Sequence, residues 1–318
     1  MSYTPCNPNA SYEARTVLEY LSGLRGDGIV LGQHTQTRAQ EELQYIRKVT
    51  GKEPALCGFE LLAYSPNINR KESSPECLTE VEENENTLEN ALAWARKRGL
   101  ITFTWHWFSP LYGADKAFYQ KNTPFDARLV IEEGTPERKA FFSDLDAMAR
   151  HLEPFREKRI PILWRPFHES EGIWFWWGSK GPQTARSLYQ EMFKYYTQVH
   201  HLDNLIWVWN SPLPEGYVGD SFCDVISRDV YLPDHTQSDY AQAHEELVKI
   251  TPADKITALG ENGPVPDTDI LCKTRVPWTW FMTWSKGRCS EEATAHEHLR
   301  RVYNSGYGVT LDKLPALY

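Results

Sequence analysis

The chain reads IPILWRPFHE at residues 160–169, a short apolar run that ends in polar and charged side chains. A run of this length is typical of a buried strand, and Arg165, His168 and Glu169 follow at its end. Four aromatic residues come shortly afterwards, at positions 174–177. The pattern predicts a buried strand whose carboxyl end carries a functional site. The alternative is a structural ion pair covered by core tryptophans.

Seven more apolar runs recur along the 318-residue chain, with amphipathic stretches between them. The predicted strands are Ile29 to Gly32, Ala55 to Phe59, Ile101 to Trp105, Ile160 to Trp164, Leu205 to Trp209, Val225 to Val230, Ile256 to Leu259 and Trp278 to Thr283. The helical patterns between them include Tyr12 to Leu24, Thr87 to Arg98, Glu137 to Leu152, Thr184 to His200 and Ser238 to Ile250. Such alternation predicts one α/β domain over residues 1–318, a (β/α)8 TIM barrel, with an extra excursion from Ser65 to Asn86.

Composition limits the classes of partner. The net charge of −9 argues against nucleic acid, because neutralising phosphates requires a basic surface. No apolar stretch approaches the roughly 18 residues that cross a bilayer, so we expect no membrane partner. Aromatic residues make up 13% of the chain, an enrichment that suits carbohydrate binding.

The six cysteines permit up to three disulfides, but none has the spacing of a metal site. Cys57 and Cys223 lie in apolar runs and are expected to be buried thiols. Cys272 and Cys289 flank the last predicted strand and could form a bridge across its ends.

Polar and aromatic residues follow every predicted strand. In chain order they are Gln33 and His34, Glu60 and Tyr64, His106 and Trp107, Arg165, His168 and Glu169, Trp209 and Asn210, Asp229 and Tyr231, Glu261 and Asn262, and Trp284. Active sites of such barrels lie at the carboxyl ends of the strands. We therefore expect these side chains to converge on one mouth.

Glu169 and Glu261 are the candidate catalytic pair. Paired carboxylates carry out glycoside hydrolysis, and a separation of roughly 5–5.5 Å predicts retention of configuration. Burial beside the aromatic residues would raise the pKa of Glu169, as a general acid near neutral pH requires. For Glu261 alone, the alternative is a carboxylate that caps a glycine-rich turn.

The chain resembles glycoside hydrolase family 26, a family of retaining (β/α)8 enzymes. The matching segments are Gly32 to His34, Pro54 to Phe59, Thr104 to Trp107, Trp164 to Glu169, Trp174 to Gly178, Asp229 to Tyr231 and Gly260 to Glu261. The resemblance implies that Glu169 is the acid/base and Glu261 the nucleophile, without metal or cofactor. The chain departs from the family at Ser170-Glu171-Gly172, where Met-Asn-Gly is common.

The resemblance also implies supporting roles. His168 would contact the 2-hydroxyl of the sugar at the cleavage point, and Tyr231 would donate a hydrogen bond to Glu261. Asp229 and Arg165 would steady the local charge, and because a nearby opposite charge lowers the pKa of a carboxyl group, Glu261 should stay charged while Glu169 stays protonated. The positions that match sugar-lining residues are His106, Trp107, Trp174 and Trp284. For His106 the alternative is a satisfied buried histidine.

Most members of the family are endo-β-1,4-mannanases. The expected function is therefore hydrolysis of mannan, glucomannan or galactomannan by a monomer. A polysaccharide cannot enter a cell and the sequence begins without a signal peptide, so we expect a secreted protein whose signal peptide has been removed. The alternatives are mixed-linked β-glucan or β-1,3-xylan as substrate, and a non-catalytic glycan-binding barrel. A metal-dependent hydrolase built on His34, His106 and His168 is disfavoured, because none of these three residues belongs to a His-x-His pair.

Overall fold

The computed structural model describes residues 3–318. Its strands are β1 (Ile29–Thr35), β2 (Leu56–Glu60), β3 (Leu100–Thr104), β4 (Ile162–Arg165), β5 (Leu205–Asn210), β6 (Val225–Val230), β7 (Ile256–Asn262), β8 (Trp278–Thr283) and β9 (Gly308–Val309). Strands β1 to β8 pair in parallel in chain order, and β8 returns to β1 to close the barrel. The short β9 pairs with the start of β1. The predicted eight-stranded barrel is confirmed.

Helices cover the outside of this barrel. They are α1 (Tyr12–Leu24), α2 (Glu41–Thr50), α3 (Pro75–Glu83), α4 (Thr87–Arg96), α5 (Pro136–Glu157), α6 (Pro182–Gln198), α7 (Ala241–Leu247), α8 (Thr268–Thr274) and α9 (His296–Tyr303). All five predicted helices are present, and the predicted excursion after β2 contains α3. Among the described residues, no helix is both long and apolar enough to cross a membrane.

The barrel interior and the layer beneath the helices form separate apolar clusters. In β5, Ile206 and Val208 belong to the inner cluster, whereas Trp207 belongs to the outer one. This alternation follows from the two-residue period of a strand. Val17 and Leu21 of α1 also join the inner cluster. Because α1 packs against the interior, we infer that it closes the amino-terminal end of the barrel and leaves the other end open.

An irregularity in β6 and β7 shapes that open end. The register of the two strands shifts after Arg228, which places Asp229 opposite Glu261. A Cβ on Gly260 would lie 2.6 Å from both the Nδ2 atom of Asn210 and the Oδ1 atom of Asp229. Glycine is therefore required where these side chains pass the backbone, and the bulge directs Glu261 into the mouth.

The cysteines are free in the described structure. Cys57 and Cys223 are buried, as predicted. The possible bridge between Cys272 and Cys289 is wrong, because Cys272 is exposed on α8 whereas the Cys289 thiol contacts the carbonyl oxygen of Glu42 on α2.

Candidate active site

Three carboxyl groups meet at the carboxyl ends of β4, β6 and β7. One oxygen each of Glu169, Asp229 and Glu261 lies within 4.8 Å of the other two. The two glutamates come from opposite parts of the barrel, yet their carboxyl groups face each other across the mouth. One oxygen of Glu169 thus lies within 4.8 Å of an oxygen of Glu261, a spacing that agrees with the short class of glycosidase carboxylate pairs, at roughly 5–5.5 Å.

Arg165 balances the charge of two of these groups. Its side chain is 2% exposed, and its Nη2 atom lies 2.5 Å from Glu261 Oε1 while Nη1 lies 3.1 Å from Asp229 Oδ2. Nη2 also donates a hydrogen bond to the Thr104 hydroxyl. Three close carboxylates are a donor set that a cation would accept, but here a buried guanidinium already provides the positive charge.

Both oxygens of Glu261 accept hydrogen bonds. Oε1 accepts from Arg165, and Oε2 accepts from the Tyr231 hydroxyl at 2.6 Å. Burial raises the pKa of Glu261, and the charge of Glu169 adds to this, whereas Arg165 and Tyr231 lower it. The lowering effect expected of Arg165 is present, but desolvation outweighs the two donors, so the pKa of Glu261 is raised overall.

Glu169 has fewer donors to its carboxyl group. Its Oε2 atom accepts a hydrogen bond from the Trp174 indole nitrogen at 2.9 Å. Burial, followed by the charges of Asp229 and Glu171, raises the pKa of Glu169 to about 7. Because Arg165 and Tyr231 stabilise charge on Glu261 and no cation within residues 3–318 forms an ion pair with Glu169, a proton shared by the pair resides on Glu169.

The turn after β4 fixes the position of Glu169. The residue has a φ of 50°, a left-handed conformation that is uncommon outside glycine. Its backbone N–H donates to Asn210 Oδ1 at 2.8 Å, while Asn210 Nδ2 donates to Asp229 Oδ1 at 2.8 Å. Asn210 therefore links the turn that carries Glu169 to Asp229. The position of Asn210 after the fifth predicted strand was the only sequence signal for this role.

His106 and His168 lie next to each other in the mouth. Their ring centroids are 4.6 Å apart, in an edge-on arrangement. The Nδ1 atom of His106 lies 2.6 Å from the buried Glu60 carboxylate. Burial lowers the pKa of His106, but the charge and hydrogen bond of Glu60 outweigh it, so the pKa is raised. Burial and the charges of His106 and Arg165 hold the pKa of His168 well below its usual value, so this ring is neutral.

The predicted aromatic residues divide into two groups. Trp174 is 45% and Tyr231 41% exposed, and Trp284 is half-buried, so all three offer surface at the mouth. Trp107 is 1% exposed, and its indole nitrogen donates to Asp144 on α5 at 2.7 Å. Its assignment as a sugar-lining residue does not fit this burial, because the side chain turns outward beneath the helix layer.

Tyr64 also lies away from the mouth. Its hydroxyl donates to the carbonyl oxygen of Glu85, and its ring packs edge-on against His151 of α5. Tyr64 belongs to a short helical turn after β2, Leu62–Tyr64, which carries it behind the barrel. The convergence expected for every strand end therefore fails at this residue.

The chain is similar to a known protein family and to several characterised proteins. The model of glycosyl hydrolase family 26 matches residues 6–313. A mannan endo-1,4-beta-mannosidase of Thermothelomyces thermophilus is 34% identical over 317 residues, which cover 97% of this chain and 62% of that protein. Mannan endo-1,4-beta-mannosidase A of Piromyces sp is 28% identical, covering 98% of this chain and 51% of that protein. The chain thus spans somewhat more than half the length of these relatives.

Solved structures show the same architecture. The Podospora anserina GH26-CBM35 β-(1,4)-mannanase superposes with a TM-score of 0.88 at 32% identity, covering 99% of this chain and 70% of that chain. A second structure is that of a β-mannanase from a symbiotic protist of the termite Reticulitermes speratus, complexed with gluco-manno-oligosaccharide. It has a TM-score of 0.87 at 28% identity, and the match covers 98% of this chain and 97% of that chain. The family match over nearly the whole length shows that this chain belongs to glycosyl hydrolase family 26.

Proposed function

We propose that this chain is a retaining endo-β-1,4-mannanase, with residues 1–318 as one catalytic domain. The observation that carries the proposal is the close carboxyl pair of Glu169 and Glu261, in which only Glu261 is hydrogen-bonded to a cation. The mannan-degrading activity named for both curated relatives and both solved structures supports the choice of substrate. The gluco-manno-oligosaccharide in one of those structures supports glucomannan as a further substrate.

The arrangement supports double displacement in two steps. In the first, Glu169 donates its proton to the glycosidic oxygen while Glu261 attacks the anomeric carbon, which breaks the glycosidic bond and forms a glycosyl ester on Glu261. In the second, ionised Glu169 takes a proton from water, and the water oxygen displaces Glu261 from the anomeric carbon. Two inversions leave the configuration unchanged. His106, Trp174 and Trp284 would contact the sugars around the bond.

The same proposal places the protein outside the cell, because mannan cannot cross a membrane. The mechanism as proposed needs no residue from a second copy of the chain, so we propose that the protein acts as a monomer. No metal or cofactor has a step in this mechanism, because Glu169 supplies the proton and Glu261 the nucleophile.

Activity on a panel of polysaccharides tests the proposal. We expect hydrolysis of linear β-1,4-mannan and glucomannan, with viscosity falling well before reducing ends accumulate, and products whose first-formed anomer is β by NMR. Faster hydrolysis of mixed-linked β-glucan or β-1,3-xylan would assign a different substrate. Binding to mannan without any hydrolysis would indicate the non-catalytic barrel.

The pKa of Glu169 predicts the pH dependence. A general acid works only while protonated, so kcat/KM should fall about tenfold per pH unit above a pH of about 7. At low pH, protonation of Glu261 should also reduce kcat/KM, which gives a bell-shaped profile. With an activated aryl β-mannoside, whose phenol leaves without a proton, the decline should be much shallower in the parent protein, and any decline that the charge of Glu169 still causes should be absent from Glu169→Ala. An unchanged alkaline limb in this variant would assign the titration to another group.

His168→Ala should reduce turnover without weakening ground-state binding. If His168 contacts the 2-hydroxyl mainly in the transition state, kcat and kcat/KM should fall together by about 10²-fold, with KM little changed. Steady-state kinetics on mannan oligosaccharides check this, with circular dichroism to confirm folding. A raised KM at normal kcat would show instead that His168 only holds substrate, and an unfolded variant would assign it a structural role.

A further inference from the structure

The Gly32-Gln33-His34 segment at the end of β1 has no part in the chemistry proposed above. His34 is 0% exposed, so its ring lies beneath the surface that a sugar would touch. Within residues 3–318, neither ring nitrogen of His34 has a hydrogen-bond partner. A buried polar ring without partners costs free energy relative to an apolar side chain. The contacts that His34 makes with the protein are therefore packing contacts and not hydrogen bonds.

The contact that His34 makes is with Trp284. The two ring centroids are 4.0 Å apart and the planes differ by 19°, which is a stacked pair. Burial, with the charges of Arg165 and His106, holds the pKa of His34 well below its usual value, so the stacked ring is neutral. Trp284 itself is half-buried. One face of its indole is thus supported from below while part of the ring stays open to the mouth.

The backbone under the indole is fixed by the neighbouring residue. The side-chain Nε2 atom of Gln33 donates hydrogen bonds to the backbone carbonyl oxygens of Thr283 and Trp284, both at 3.1 Å. The backbone N–H of Trp284 in turn donates to the carbonyl oxygen of Asn262 at 3.0 Å. Groups from β1 and β7 therefore hold the residue at the point where β8 ends.

A glycine in β2 makes room for the histidine ring. A Cβ on Gly58 would lie 2.8 Å from His34 Cδ2 and 2.2 Å from the sulfur of Met282. The imidazole is therefore confined between the β2 backbone on one side and the Trp284 indole on the other. Such confinement leaves the stacked pair little freedom to rotate.

We propose that His34 is a positioning residue for substrate binding, which holds the Trp284 indole in the plane in which it contacts a sugar ring, while Gln33 fixes the backbone beneath it. The inference rests on the proposed function, in which Trp284 lines the sugar site. It gives the Gly32-Gln33-His34 segment a role in affinity that is separate from bond cleavage.

A double-mutant cycle tests this coupling. β-1,4-Mannotetraose binding is measured by calorimetry in a Glu261→Ala background, which prevents turnover. His34→Ala should weaken binding by roughly three- to tenfold, the range expected for one aromatic pair. Trp284→Ala should weaken it at least as much, and adding His34→Ala to Trp284→Ala should change nothing further. Independent, additive losses would overturn the proposal.

Two further variants separate positioning from general stability. His34→Phe keeps a ring and loses no protein hydrogen bond, so it should bind within about twofold of the parent. A loss equal to that of His34→Ala would overturn the stacking role. His244 is the matched control, a buried histidine packed edge-on against Trp278 at 4.9 Å. His244→Ala should leave affinity unchanged, and an equal loss there would show that destabilisation alone weakens binding.

A structure without ligand distinguishes failure of this inference from failure of the proposed function. If the parent protein does not bind mannotetraose, the substrate assignment is wrong. A crystal structure of unliganded His34→Ala still tests the positioning role, because the Trp284 indole should then rotate or become disordered. An indole that keeps its place without His34 would contradict the inference whatever the substrate is.

Discussion

Glu261→Ala should reduce turnover of mannan by roughly 10⁵-fold or more, as expected when a nucleophile that forms a covalent intermediate is removed. The variant should fold, because Arg165 retains Asp229 and Thr104 as partners. Rates measured with an activated aryl β-mannoside check the prediction. A variant that kept more than about a hundredth of its turnover would leave too little of the rate enhancement for a covalent step.

Added azide tests specifically whether Glu261 is the nucleophile. In Glu261→Ala the anion can occupy the space of the lost carboxylate and attack the anomeric carbon of the activated substrate directly. One displacement inverts the configuration, so the expected product is an α-mannosyl azide. Glu191→Ala is a suitable control, because this half-buried glutamate of α6 pairs with Arg138 away from the mouth. It should turn over mannan normally and form no azide product.

The barrel was predictable from the sequence because its strands are short, continuous apolar runs that are buried on both faces. Ile206 and Val208 face inward while Trp207 faces outward, as any strand of this pattern must. Helices α2, α3, α8 and α9 were not individually predicted; each has only seven to ten residues, so its helical periodicity is short.

The sequence predicted which residues follow the strands at the candidate site, but not always the direction in which their side chains point. Trp107 follows a strand as Trp284 does, yet its indole turns outward to Asp144. That turn depends on the loop that follows, which sequence position alone does not specify. The bulge that brings Asp229 opposite Glu261 depends on the close packing at Gly260, again a tertiary property.

The ionisation of the pair shows the same limit. The sequence indicated that Arg165 would lie near Glu261, and it does, at 2.5 Å. The sign of the pKa shift still depended on how deeply the carboxyl group is buried, and desolvation proved larger than the effect of the arginine. Roles are therefore assigned by the difference between the two glutamates. Glu261 has two strong donors, whereas Glu169 has one indole.

This difference predicts how loss of Glu169 should depend on the leaving group. Glu169→Ala should slow mannan oligosaccharides by roughly 10²–10⁴-fold, the usual contribution of general acid catalysis, because the sugar oxygen leaves poorly without a proton. An aryl β-mannoside with a strongly acidic phenol needs no proton, so its bond cleavage should be nearly unaffected. Steady-state and burst kinetics on both substrates separate the two effects, since a burst shows that the glycosyl ester on Glu261 still forms.

Azide should also rescue Glu169→Ala, but with the opposite stereochemistry to Glu261→Ala. Here the ester on Glu261 forms first and azide then displaces it, since no carboxylate at position 169 is left to deprotonate water. Two inversions give a β-mannosyl azide. The configuration of the azide product, read by NMR, therefore assigns each glutamate its role independently of rate. The same anomer from both variants would contradict the assignment, and equal slowing of both substrate classes would remove Glu169 as the proton donor.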